Sequence, residues 1–363
     1  MDKHFVKHAP GAKTRICITG ACGFVGHHIV EHLLKNTDWE IVVLDCLTYA
    51  GNLNRLTDID IWEKEKHRVK FVWHDLKSPI TELTHSMLGQ VDYVWHFAAE
   101  THVDTSLINS IPFAQANVVG TTNLLEYLKH YQKPKKIVYF STDEVFGPAP
   151  YPSSTDIPIR YSENDSLNPS NPYSASKAGG EMMARSFANS FGLPIMITRT
   201  MNVYGERQHP EKFLPKVIIS IVEGKKVLLH GYQGSPSLRC WVHAREAADI
   251  LLFLMEKGVV MDKAHQADRG YGVYHVIGEE WNVVDMANKI SNIIKGRDLK
   301  DEEIEYIDIF KDRPGHDKRY SLDGQKVIKL GYIPPKQYPN LGIVLEKMTK
   351  WMTSKEHKHW LNL

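Results

Sequence analysis

This sequence predicts an α/β protein organised around a doubly wound parallel sheet, and three observations predict it. Apolar runs rich in β-branched residues alternate with segments of helical spacing up to about residue 200. A glycine-rich turn, Gly20-Ala-Cys-Gly23-Phe-Val-Gly26, joins the first apolar run to the first helical one. The run Ile137-Val-Tyr-Phe-Ser-Thr142 ends in two carboxylic acids, Asp143 and Glu144, and ligands of open α/β sheets sit at strand ends.

In chain order, residues 14–19 read as a strand and 27–35 as the helix after the glycine turn. Glycines at spacings of three allow a tight turn, close approach of backbone to a pyrophosphate, and close packing of helix on strand. A second strand, 40–44, runs into Asp45, about 20 residues past the last glycine. An acid there bonds the ribose hydroxyls of NAD and disfavours the extra phosphate of NADP; the blander alternative is a loop cap. A third strand, 69–74, precedes Asp75, and a fourth, 92–97, runs into Ala98-Ala99-Glu100-Thr101-His102-Val103-Asp104.

Residues 111–130 carry apolar side chains at helical spacing and read as one core helix, long enough to support a dimer face as well. After the central strand, 148–165 is a surface loop by its Pro, Ser and Asp content, 173–191 a helix and 193–199 a strand. Beyond Arg199 the alternation gives way to Gly, Pro and short mixed segments, with a structural helix at 341–352. The expected division is a flexible leader over 1–13, a Rossmann-type NAD-binding domain over 14–200, and a smaller C-terminal α/β substrate-binding lobe over 201–363, some of whose segments return to the large domain.

A net charge of +1, with no long block of like charge, argues against nucleic acid or a membrane surface as the main partner. Cys17, Cys22, Cys46 and Cys240 form no Cys-x-x-Cys pair and read as reduced packing residues of a cytoplasmic protein. Residues 1–13 are polar with no apolar core of signal-peptide length, and no apolar run approaches membrane-spanning length. The histidines show no metal-ligand spacing, so no metal is expected.

The chemistry converges on five side chains. Tyr173 and Lys177 are four apart on a predicted helix, so they share a face, and the ammonium can stabilise a phenolate. Thr142, Asp143 and Glu144 add a hydroxyl and two acids. Adjacent strand residues point to opposite faces, so these three can meet one substrate only if the chain leaves strand geometry at the tip, which Gly147-Pro148 allows. Arg239 and Arg313 are candidate diphosphate clamps, each equally readable as a surface charge.

The Gly-x-x-Gly-x-x-Gly turn with Asp45, Leu47-Thr48-Tyr-Ala-Gly-Asn52, Ser141-Thr-Asp-Glu-Val145, Tyr173-Ser-Ala-Ser-Lys177, Pro210-Glu211-Lys212 and Arg313-Pro-Gly-His316 together resemble the extended short-chain dehydrogenase/reductase superfamily, and within it the nucleotide-sugar 4,6-dehydratases. Asp143 with Glu144 is the discriminating pair, because similar epimerases and decarboxylases lack both acids together. The resemblance implies NAD, held by Gly20, Gly23, Phe24, Val25, Gly26, Asp45, Leu47, Thr48, Asp75, Leu76, Ala98, Ala99, Tyr173 and Lys177. It implies substrate contacts from His102, Asp104, Thr142, Asn202, Glu211, Lys212, Arg239, His275, Arg313 and His316.

It further implies that Tyr173, held as phenolate by Lys177, takes the proton from the sugar 4-hydroxyl while hydride leaves carbon 4, with Thr142 bonding that hydroxyl. Glu144 then removes the carbon-5 proton, Asp143 protonates the departing 6-hydroxyl, and hydride returns to carbon 6. The chain departs from the family pattern at Cys240, His275, Arg207, His209 and Phe146, positions that leave the proton-transfer set untouched but bear on the nucleotide, so dTDP and UDP both remain open. A homodimer is expected by resemblance, through the helices near 111–130 and 173–191. The competing expectations are a UDP-sugar 4-epimerase or decarboxylase on the same scaffold, and a non-catalytic NAD-binding protein.

Overall fold

A computed structural model gives the fold, and it describes residues 13–150, 159–232, 235–307, 319–334 and 340–362. The leader lies outside the described residues except for Lys13. Strands β1 (Arg15–Thr19), β2 (Glu40–Asp45), β3 (Val69–Trp73), β4 (Tyr93–His96), β5 (Lys136–Thr142) and β6 (Ile195–Thr200) fall where the apolar runs predict them. Each pairs in parallel with its neighbours in the order β6-β5-β4-β1-β2-β3. The order reverses between β1 and β4, and that reversal opens a crevice beyond the carboxyl ends of the strands.

Alternation along the strands sorts their side chains to two faces. Ile16 and Ile18 of β1 join one buried cluster with Ile29 and Leu33 of the helix Phe24–Asn36. Cys17, between them, joins the cluster on the other face with Leu124, Leu128 and Phe187, from the helices Gly120–Tyr131 and Pro172–Phe191.

The second half of the chain divides its elements. Strands β7 (Asn202–Tyr204), β10 (Leu238–His243) and β12 (Glu279–Asn282) form one small sheet, and β8 (Val227–Tyr232), β9 (Ser235–Pro236) and β13 (Ile304–Ile307) another. Their core, including Leu214, Trp241, Met286 and Leu345, is separate from that of the large sheet. Strand β11 (Val273–Val276), however, pairs in parallel with β6 as the seventh strand of the large sheet. The helix Ala244–Lys257 buries Ala247, Leu251 and Leu254 in the same cluster as Ile16 and Ile18.

Two predicted elements differ. The first helix begins at Phe24, inside the glycine turn, because Gly23 serves as its N-cap and no residue there resists the geometry. The stretch read as one helix over 111–130 runs without interruption but is not uniformly α: Ile111–Ala114, a wider π-helical turn at Gln115–Val119, then Gly120–Tyr131. The π turn holds Asn117 inward, where its side chain bonds the backbone of Glu100 on both sides and the Ser176 hydroxyl.

Candidate active site

Strand β5 stops at Thr142, and Asp143–Phe146 coil into one 3₁₀ turn closed by Gly147 at φ 72°. This is the departure from strand geometry that the sequence requires. The Thr142 hydroxyl caps the turn, accepting from the Glu144 N–H at 3.4 Å and donating to Asp143 Oδ1 at 3.1 Å. Beneath the turn, Phe146 stacks on Tyr161, and the Arg199 guanidinium lies 4.6 Å from the Phe146 ring centroid. Arg199 is in turn held by Glu181 at 2.6 Å, with both side chains fully buried.

The two acids occupy different surroundings. Asp143 is 3% exposed and its Oδ2 has no hydrogen-bond partner. Burial, then the neighbouring Glu144 charge, pushes its carboxyl up to about 7, with the Thr142 hydrogen bond and Arg239 opposing. Glu144 is half-buried, and its Oε2 lies 3.4 Å from Asn171 Nδ2 and 3.5 Å from Tyr320 Oη. Asp143 therefore holds its proton to a higher pH than an ordinary carboxyl does.

The helix Pro172–Phe191 starts on a capping box, with Asn171 and Ser174 bonding each other's backbone N–H and Pro172 in the first turn. That anchors Tyr173, which is 8% exposed and packs edge-on to Phe113. Lys177 lies one turn on, and its Nζ donates to the Phe140 carbonyl at 2.7 Å. Burial lowers the Lys177 ammonium to about 8, while the Glu181 carboxylate opposes the shift. The Tyr173 phenol is pushed up, first by burial and next by the Glu144 carboxylate, and only the Thr142 hydrogen bond lowers it. The pair shares a face, but protein groups alone do not hold the phenolate expected from its spacing.

These residues line one cavity of about 360 Å³. One end is walled by Gly20, Gly23, Phe24, Val25, Gly26, Asp45, Thr48, Asp75, Leu76, Ala98 and Ala99, and the other holds Thr142, Asp143, Glu144, Tyr173 and Lys177. The first end fits a dinucleotide. Gly20 has φ 71°, and a Cβ on Gly26 would stand 2.3 Å from the Gly20 carbonyl oxygen, so only glycines leave the turn tight enough. The Asp45 carboxylate accepts from the N–H groups of Cys22 and Leu47 at 2.9 and 2.8 Å, which fixes it at the end of β2. Leu47 does not line the cavity; it sits at φ 53°, packs its side chain against the core, and contributes its N–H to Asp45.

On the lobe side Asn202, Glu211 and Lys212 line the cavity. His102 and Asp104 stand outside it; the His102 ring bonds the Thr105 hydroxyl at 2.7 Å, within its own short helix start. Arg239 and His275 do not join the set. Arg239 lies over the Tyr320 ring, 4.9 Å from its centroid, and donates to the Leu238 carbonyl. His275 is 1% exposed on β11, edge-on to Phe146, its Nδ1 against the Asp323 carbonyl, and burial lowers its imidazole to about 3. The depth of both follows from strands that pair far along the chain, which neither guanidinium chemistry nor motif position discloses. Arg313 and His316 lie outside the described residues.

Sequence reasoning missed Tyr320 and Asn171 beside Glu144, and the contacts that cross the cavity mouth. There Tyr49 donates to Glu211 Oε1 at 3.0 Å, and Lys212 donates to the Thr101 carbonyl at 3.0 Å. The motifs named these segments but carried no signal that they touch. Among the described residues no group of side chains could hold a metal ion, and no helix is long and apolar enough to cross a membrane.

The fold and cavity define a Rossmann-type protein built to bind a dinucleotide. More narrowly, the chain belongs to the NAD dependent epimerase/dehydratase family, which it matches over residues 16–268. It is 37% identical over 349 residues to a trifunctional UDP-glucose 4,6-dehydratase/UDP-4-keto-6-deoxy-D-glucose 3,5-epimerase/UDP-4-keto-L-rhamnose-reductase of Arabidopsis thaliana, covering 95% of this chain and 48% of that protein. The chain thus spans about half the length of such plant relatives. To a dTDP-glucose 4,6-dehydratase of Escherichia coli it is 33% identical, covering 89% of this chain and 90% of the relative. The crystal structure of the Streptomyces venezuelae dTDP-glucose 4,6-dehydratase DesIV, which contains NAD, superposes with a TM-score of 0.81 at 32% identity, covering 96% of this chain and 98% of that one.

Proposed function

We propose that this chain is an NAD-dependent nucleotide-sugar 4,6-dehydratase, converting dTDP-glucose or UDP-glucose to the 4-keto-6-deoxy sugar nucleotide and water. The observation that carries the reading is Asp143: a buried carboxyl with an unpartnered oxygen, raised to about 7, next in sequence to Glu144 and in one cavity with Tyr173. A simple 4-epimerization needs no such acid. The second reading is a 4-epimerase, supported by the fold shared with a Bacillus cereus UDP-glucuronic acid 4-epimerase at a TM-score of 0.74 and 26% identity.

NAD would be held by the glycine turn, by Asp45 at the adenosine ribose, and by Tyr173 and Lys177 at the other end. When bound it supplies a reversible two-electron acceptor and, oxidised, a positive charge beside Tyr173. Tyr173 Oη takes the proton of the sugar 4-hydroxyl, and Thr142, beside it in the cavity, holds the same hydroxyl. Lys177, one helical turn away, anchors its ammonium on the Phe140 carbonyl, and together with the oxidised nicotinamide it would add the positive charge the phenolate needs. The ketone formed at carbon 4 acidifies the carbon-5 proton; Glu144 removes it, and Asp143, the member that keeps its proton, gives it to the departing 6-hydroxyl as water leaves. Carbon 6 takes back the hydride that carbon 4 gave up, and Glu144 returns the proton to carbon 5. Glu211, Lys212 and Asn202 are assigned to the nucleotide side.

The same reading carries a homodimer, supported by apolar side chains left exposed near the two long helices, Ile108 at 87%, Ile111 at 65% and Met182 at 44%. It also places the protein in the cytoplasm, where the four cysteines, all free here, stay reduced. The deciding experiment is mass spectrometry after incubation with dTDP-glucose and, separately, UDP-glucose, without added cofactor. Loss of one water from either supports the dehydratase and its retained NAD, and the preferred donor names the base. Isomerised sugar without water loss would move the assignment to the epimerases.

A further inference from the structure

Arg55 is a buried cation on the short helix Asn54–Thr57, and it belongs to none of the motifs above. Its side chain gathers three backbone carbonyls from three walls of the cavity. Nη1 donates to Cys22 O, in the glycine turn, at 3.2 Å and to Ala50 O, in the loop after β2, at 2.6 Å; Nε donates to Arg207 O, in the lobe, at 3.1 Å. Burial lowers the guanidinium only to about 10, so it stays charged at neutral pH.

The far C-terminus backs this arrangement. The Trp360 ring lies against Arg55, 5.4 Å from the guanidinium carbon to the centroid, and its indole N–H donates to Asp58 Oδ2 at 3.0 Å. Arg207 donates to the Asp58 carbonyl at 2.7 Å and stacks on Trp351 at 4.8 Å. Arg207 also sits at φ 62°, a backbone conformation a non-glycine residue adopts only when its surroundings impose it, and the next two residues, Gln208 and His209, line the cavity.

We propose that Arg55, braced by Asp58, Arg207 and Trp360, is a positioning residue that staples the glycine turn, the ribose loop and the lobe together and so keeps the dinucleotide from leaving between turnovers. A cofactor enclosed by these walls can escape only if they part, and parting them strips a buried guanidinium of three carbonyl partners. The inference rests on the NAD reading of the cavity. It does not depend on which sugar is used.

The test measures NAD bound to the purified full chain by absorbance after acid release, before and after exhaustive gel filtration, for wild type, Arg55→Gln, Arg55→Lys and Trp360→Leu. The expected result is full retention by wild type, at least tenfold faster loss from Arg55→Gln and Trp360→Leu, and partial rescue by Arg55→Lys, with circular dichroism melts within a few degrees of wild type. If Arg55→Gln does not fold, Trp360→Leu, which keeps an apolar side chain at the site, decides alone. Retention in the variants equal to wild type overturns the staple. A wild type that binds no NAD, even when it is supplied, overturns instead the NAD reading beneath it.

Discussion

At the scale of the residue, Asp143 sets the pH behaviour. Its carboxyl is raised from 3.8 to about 7, so the folded protein keeps a proton there that the unfolded chain gives up above pH 3.8. The group therefore costs nothing below that value, and stability falls as pH climbs towards 7, by about 4 kcal/mol at about 1.4 kcal/mol per unit. Asp143→Asn should melt above wild type at pH 8, with a smaller gap at pH 5, in paired thermal scans. In single turnovers the same variant should leave oxidation at carbon 4 largely intact and slow water loss about 10²- to 10⁴-fold, and wild-type water loss should decline above about pH 7. Tyr173→Phe should instead abolish the first oxidation, read as absent growth of reduced-nicotinamide absorbance. The residues in these predictions were legible because their spacing is local: two acids side by side, a tyrosine and a lysine one turn apart. Tyr320 was not, because it reaches Glu144 across 176 positions of chain and nothing in its own neighbourhood announces it.

At the scale of the element, the turn after β5 converts a strand into an acid–base site, and Gly147 is its stop. At φ 72°, with a virtual Cβ 2.3 Å from the Asn168 carbonyl oxygen, it accepts no side chain without moving that backbone. Gly147→Ala should cost about 1–3 kcal/mol in denaturant unfolding and lower water loss more than carbon-4 oxidation, because it displaces the acids and leaves Tyr173 on its own helix. The need for a turn here was readable from Gly147-Pro148 and from the alternation rule. The π turn after Ala114 was not, because the contacts that accompany it, Asn117 tying Glu100 to Ser176, are tertiary.

At the scale of the whole molecule, the exposed apolar side chains near the long helices predict the assembly. Ile111→Asp together with Met182→Lys should convert a dimer to monomer in sedimentation equilibrium while leaving the far-ultraviolet spectrum unchanged; a monomeric wild type would remove the proposal. The six parallel strands could be read from the alternation of apolar and helical segments, whereas the seventh could not. Strand β11 looks like any short apolar run among the lobe's segments, yet it covers β6, whose residues are buried along its whole length. A ribosome releases residues 195–200 well before 273–276, so during synthesis β6 waits as an open edge for a partner more than seventy positions away. A chain halted near residue 200 should therefore aggregate through that edge, and the emerging polypeptide is the stage at which this protein most needs a chaperone.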